Sequence, residues 1–183
     1  MTHLILIFAC VTLVTLLIGI YKSLSKLNGM SEQYWGNVQS QLYRKYDLVS
    51  ILTDFMKSHS KDSNNIDAAN ELIEAKLKAM QSISPFKKSL TEKPLDDNLT
   101  KVFEIIEANE DLINDEKFLK IKEDINSVKK ELMVSSSYYN AIIRDYNSKI
   151  SSFPSSLVAK MLGHYNKETI DVDLNLQNTN KTQ

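Results

Sequence analysis

From Leu4 to Tyr21 the chain reads LILIFACVTLVTLLIGIY, eighteen residues without a charge, interrupted only by Thr12 and Thr15. A helix of that length rises about 27 Å, close to the roughly 30 Å hydrocarbon thickness of a bilayer. In lipid its backbone groups have no partners but one another, so the segment must be helical there. Tyr21 suits the headgroup level. The pattern predicts a membrane anchor over residues 1–21, spanning from Leu4 to Tyr21.

Polar residues then take over. KSLSKLNGM, residues 22–30, contains Asn28 and Gly29 and is expected to form a juxtamembrane joint. Apolar residues recur at Trp35, Val38, Leu42, Val49, Leu52 and Met56, one face of a helix from about Ser31, its expected N-cap, to His59. SKDSNN (60–65) breaks the pattern. A helix from Ile66 to Ile83 should turn Ala69, Ile73, Leu77 and Met80 inward. Residues 84–94 hold two of the three prolines and are expected to be a loop, with a third helix from Leu95 to about Ala108.

The clearest periodicity comes next. Phe118, Ile121, Ile125, Val128, Leu132, Ser135, Tyr139, Ile142, Tyr146, Lys149 and Phe153 step by three and four, with Ile150 able to replace Lys149 as the helix drifts from a strict heptad. Asn114 should cap this helix and Pro154 end it. A short amphipathic turn over 156–162 should stop at Gly163. The tail 175–183 has no apolar residue after Leu176 and is expected to be disordered. The fold class is all-α: a membrane helix, then an antiparallel long-helix bundle of four-helix type over residues 31–174.

Composition narrows the chemistry. With 22 basic and 23 acidic residues the net charge is −1, so a strongly basic nucleic-acid binder is excluded. Charge is segregated: the stretches 22–61 and 117–167 are basic, and 62–116 is acidic. In an antiparallel bundle the acidic middle could lie against the two basic long helices; solvated faces with weak pairs are the preferred expectation. One cysteine, Cys10, rules out an internal disulfide or a Cys-built zinc site. His3, His59 and His164 fall in no metal-ligating spacing, and no nucleophile-elbow or phosphate-loop motif occurs. No catalysis, cofactor or metal is expected.

Lys22 and Lys26 follow the apolar run, whereas only His3 and the α-amino group precede it. The positive-inside rule puts the N-terminus outside and the body in the cytosol, on a cytoplasmic (inner) membrane. No basic n-region or A-x-A site marks a cleaved signal. An alternative, an envelope-side lipoprotein acylated at Cys10, meets a bulky Phe8 in the position where such signals are small.

Two motifs carry a resemblance. Trp35-Gly-Asn-Val-Gln-Ser-Gln41-Leu42-Tyr-Arg44-Lys45-Tyr-Asp47-Leu48-Val49 resembles the W-x-x-[IV]-x-x-Q-L-x-R-R-x-D-L-[IV] signature of the LemA family of bacterial membrane-anchored proteins. Tyr139-Asn140, Arg144, Tyr146-Asn147 and Phe153-Pro154 are similar to that family's Y-N-x-x-[IV]-x-x-Y-N-x-x-[IL]-x-x-F-P. Ser50, Ser136 and His164 depart from the family's usual Pro, Arg and aromatic. The resemblance implies a membrane-anchored helical scaffold assembling with other membrane or envelope proteins; a self-assembling homo-oligomeric coat is a further possibility.

The motif residues also have a reading of their own. Arg44 and Arg144 are the only arginines beside twenty lysines, which suggests positions that need a planar guanidinium fork. Arg44 and Asp47 are spaced to pair on one helix. Asn140 and Asn147 are expected to hydrogen-bond across to the first helix near Gln41 and Arg44, fixing helix register, with a surface that recognises a partner as the alternative.

Overall fold

A computed structural model describes residues 1–60 and 62–172, so the tail 175–183 lies outside the described residues. Helix α1 runs unbroken from Thr2 to His59, about 87 Å at helical rise. It is followed by α2 (Ser63–Gln81), α3 (Pro85–Glu107), the short α4 (Glu110–Ile113), α5 (Glu116–Ser151) and α6 (Ser155–Met161). No strand occurs among the described residues. The lower part of α1 packs with α2, α3 and α5 as an antiparallel four-helix bundle, and the most extensive packing is of α1 with α5, α2 with α3 and α1 with α2.

The expected joint at 22–30 does not exist. Asn28 stays helical and donates to Glu32 Oε1 at 2.9 Å, and Ser31 is no cap but a buried residue whose hydroxyl donates to Asn28 O at 2.7 Å. A single glycine costs a helix about 1 kcal/mol against alanine. Leu24, fully buried beside Tyr146, Ile150 and Ala159, returns roughly 1.5–3 kcal/mol. Packing therefore outweighs the local signal, and the bundle begins at Ile20.

The second helix is rotated from its expected phase. Ala68, Ala69, Leu72, Ala75 and Ala79 face inward, while Leu77 and Met80 are exposed. Small residues let α2 lie close to α3; larger ones at that seam would hold the two apart.

The loop expected over 84–94 is instead the first half of α3. Ser84 Oγ accepts from Lys87 N at 3.3 Å and Pro85 occupies the first turn, a helix start rather than a helix break. Pro94, inside α3, forfeits one backbone hydrogen bond. Helix α5 is capped by Asp115, not Asn114, since the Asp115 carboxylate accepts from Lys117 N and Phe118 N. Its C-terminal half turns by one residue, so that Ser136, Ile143 and Ile150 are buried in place of Ser135, Ile142 and Lys149, and Phe153 is exposed. That slippage is what a 3.6-residue period does to a strict heptad over thirty residues.

Helix α6 ends as expected at Gly163, whose φ is +71°. His164 N bonds to Ala159 O at 2.9 Å and Gly163 N to Lys160 O at 3.3 Å, the paired bonds of a Schellman turn. The turn sends residues 164–172 back along the bundle as an extended strap, whose Ile170 is buried in the main core.

Candidate functional site

Three constructions stand out: the strap and its clamp, a charged cluster inside the bundle, and the junction between bundle and apolar segment.

The clamp explains the paired Tyr-Asn steps. Asn147 Nδ2 donates to Lys167 O and Lys167 N donates to Asn147 Oδ1, both at 2.9 Å. One step earlier, Asn140 Nδ2 donates to Ile170 O at 2.7 Å and receives Ile170 N at 2.9 Å. Seven helical residues rise about 10.5 Å and three extended residues span about 10 Å, so the two amides meet the strap in register. Tyr139 Oη donates to Glu168 O at 2.8 Å, and Tyr146 Oη lies 2.9 Å from His164 Nδ1. Burial, with Glu168 adding, pushes the Tyr139 phenol up to about 12. Burial raises Tyr146 too, so both phenols stay neutral.

The strap also ties other helices together. Lys167 Nζ donates to Ser31 Oγ on α1 at 2.6 Å and lies 5.2 Å from the centre of the Tyr146 ring. Burial lowers the Lys167 pKa, against the pull of Glu32. Asp171 N donates to Ser89 Oγ at 2.7 Å and Phe86 N to Glu168 Oε2 at 3.3 Å, both from α3. Trp35 completes the site from α1, its ring 5.2 Å from that of Tyr139.

The expected bonds from Asn140 and Asn147 to Gln41 and Arg44 are therefore absent. Each asparagine sits one step beside a core-facing tyrosine, on the flank that the strap occupies. Gln41 instead leaves a buried Oε1 without a hydrogen-bond partner. Arg44 pairs with Glu131 of α5 at 3.3 Å rather than with Asp47. That pair is half exposed and worth about 0–1 kcal/mol. Asp47 and Arg144 are exposed, Leu42 is buried in the core, and Pro154 is partly buried between α5 and α6.

The second construction joins side chains that the sequence analysis did not single out as a cluster. Lys45, 0% exposed, donates to Glu92 Oε2 at 2.7 Å and to Asp96 Oδ2 at 3.0 Å. Tyr46 Oη donates to Glu92 Oε1. Lys88 Nζ donates to Tyr46 Oη at 3.2 Å and to Ala79 O at 2.7 Å. Lys129 Nζ stands 3.0 Å from Asp96 Oδ1, as an ion pair outside hydrogen-bond geometry. Burial alone would lower the Lys45 pKa, but Asp96 and Glu92 prevail and raise it. Burial raises Tyr46 further, with Glu92 behind it, and lowers Lys88 against the opposing effect of Glu92.

The acidic middle of the chain thus meets its basic flanks inside the core, contrary to the expected solvated faces. Solvated pairs remain where Arg44 meets Glu131, Lys101 meets Glu71 and Lys122 meets Glu107. The sequence did carry a signal. The first-helix stripe jumps seven residues from Leu42 to Val49, and Lys45-Tyr46 fills the gap. Glu92 and Asp96, one turn apart on α3, are the complementary pair. These side chains are buried, so the cluster fixes how α1, α3 and α5 sit.

At the third construction, Ile20 and Leu24 of α1 pack with Tyr146, Ile150 and Ala159. Above them Leu4 to Ile18 projects from the bundle with its large side chains exposed, Cys10 among them. Helix α1 is long and apolar enough there to cross a membrane. No group of three or more His, Cys, Asp or Glu among the described residues could hold a metal ion. A family model described as the LemA family matches residues 34–182, from just before Trp35 to beyond the Tyr-Asn clamp. No curated protein matches the chain.

Proposed function

The chain belongs to the LemA family, and from that premise we propose that it is a non-catalytic, single-pass scaffold of a bacterial inner membrane, assembling with other membrane or envelope proteins. The observation that carries this reading is the continuity of α1 from the exposed apolar segment into the core. A domain on a flexible tether samples many orientations. One whose membrane helix is itself a bundle helix, fixed at Ile20 and Leu24, holds its faces at set heights and angles above the bilayer. The strap and the buried charges reinforce that rigidity and leave the bundle exterior as the part that meets partners.

Lys22 and Lys26 are exposed where α1 leaves the apolar run, and Lys160 is exposed on α6 at the same end. This supports a cytosolic body, since such lysines face anionic headgroups favourably, at about 1 kcal/mol each.

The test joins topology to assembly. The full chain is fused at its C-terminus to a fluorescent protein or to alkaline phosphatase, and membranes are washed with alkaline carbonate. Retention in the membrane, fluorescence without phosphatase activity, and discrete assemblies larger than one chain in mild detergent are expected. Release by carbonate would end the membrane reading. Phosphatase activity would reverse the orientation, and a strict monomer with nothing co-purifying would remove the scaffold role.

A further inference from the structure

Helix α6 is amphipathic in the wrong sense for a water-facing element. Its small residues Ser155 and Ala159 point into the bundle, at 5% and 1% exposed. Val158 packs inward as well, but Leu157 and Met161 point out, at 57% and 87% exposed, and Phe153 just before the helix is 83% exposed. Scattered apolar residues on a surface call for no explanation, but three spaced by four along one face mark a contact.

Their position identifies the contact. Phe153, Pro154 and Ser155 line one groove with Leu16 and Ile20 of the apolar segment. Leu16 lies five residues above Tyr21, about 7.5 Å further toward the membrane centre if Tyr21 marks the headgroup boundary. Helices that lie in a membrane interface bury their apolar face by roughly 5–10 Å. Lys160 on α6, with Lys22 and Lys26 on α1, places cations at the same end.

We infer that α6 and Phe153 form a foot inserted into the leaflet that α1 crosses, with Phe153, Leu157 and Met161 among the lipid tails. The inference rests on α1 spanning the membrane, and it adds a second point of contact, which fixes the rotation of the bundle about the α1 axis. The occupant is lipid because this face is continuous with a segment that is itself exposed and apolar on every side.

The test uses the full chain in bilayer nanodiscs containing anionic lipid, with a nitroxide on one cysteine at a time. Cys10 reports on the span. Leu157→Cys and Met161→Cys, each with Cys10→Ser, report on the foot, and Met133→Cys, with the same replacement, reports on the exposed side of α5. The readout is the ratio of collision rates with oxygen, which concentrates in lipid, to those with a water-soluble nickel chelate. A ratio at 157 and 161 severalfold above that at 133, approaching that at Cys10, is expected. Met161 packs against little, so its variant retains the fold even if Leu157→Cys does not. Ratios at 157 and 161 equal to that at 133, with Cys10 still lipid-like, would overturn the foot and leave the span standing. Labels at 157 and 161 shielded from both reagents would mean that protein, such as a second copy, covers the face, and would also overturn it. An aqueous ratio at Cys10 would remove the span, and the foot with it.

Discussion

Asn147 and Lys167 exchange two hydrogen bonds of 2.9 Å, a side-chain amide reading a backbone peptide across the α5–strap contact. Each such bond contributes about 0.5–1.5 kcal/mol net. Asn147→Ala should therefore lower stability by roughly 1–3 kcal/mol. The loss should be local: hydrogen exchange at the Lys167 and Ile170 amides should accelerate while the amides in the middle of α5 remain protected. Unchanged protection at Lys167 would show that the clamp does not hold the strap.

Lys45 is the hub of the buried charges. Lys45→Met leaves Glu92 without its cation and Asp96 with only Lys129. Removing one partner of a buried pair costs about 3–5 kcal/mol, whereas replacing both by apolar residues is often nearly neutral. Lys45→Met should accordingly shift the urea midpoint strongly downward, and Lys45→Met with Glu92→Leu should recover part of the loss. A double variant less stable than the single one would assign Glu92 a role independent of Lys45.

Alkaline pH should loosen the bundle. Tyr139 titrates at about 12 when folded against an ordinary 10.0, so the fold favours its neutral form. That contribution is whole below pH 10 and disappears as pH rises through about 12. Tyr146 and Lys45 are also raised and act in the same direction. Lys88 and Lys167 are lowered and act oppositely, since deprotonation relieves the cost of their burial. The melting temperature should fall above pH 10, and Tyr139→Phe should fall less steeply from a lower starting value. Parallel curves for the two proteins would exclude Tyr139 as a source of the alkaline loss.

Two glycines should respond oppositely to alanine. Gly29 is helical, and a Cβ there meets nothing within 4 Å, so Gly29→Ala should stabilise by about 0.5–1 kcal/mol. Gly163 has open space as well, but its φ of +71° charges any L side chain about 1–2 kcal/mol. Gly163→Ala should lower the melting temperature and loosen the start of the strap.

The division between what was readable and what was not follows the range of the forces involved. Hydrophobic periodicity is a property of neighbours along the chain, so the long apolar helix at the N-terminus, the helical class and the inward Val38, Leu42, Phe118, Ile125 and Tyr146 were all legible. The Gly163 stop was legible for the same reason, as a local backbone requirement. The continuity of α1 through Asn28 and Gly29 was decided by Leu24 meeting Tyr146, Ile150 and Ala159 from the far end of the chain. The partners of Asn140 and Asn147 were likewise open, because an amide in a sequence says only that something must satisfy it; the return of the strap after Gly163 determined what. Lys45, Lys88, Glu92 and Asp96 looked like surface charges because burial of an ion depends on where its counter-ion is brought. By itself the sequence determined which faces seek an apolar environment; tertiary packing decided which polar groups could enter it, since only packing brings α1, α3 and α5 close enough to neutralise one another.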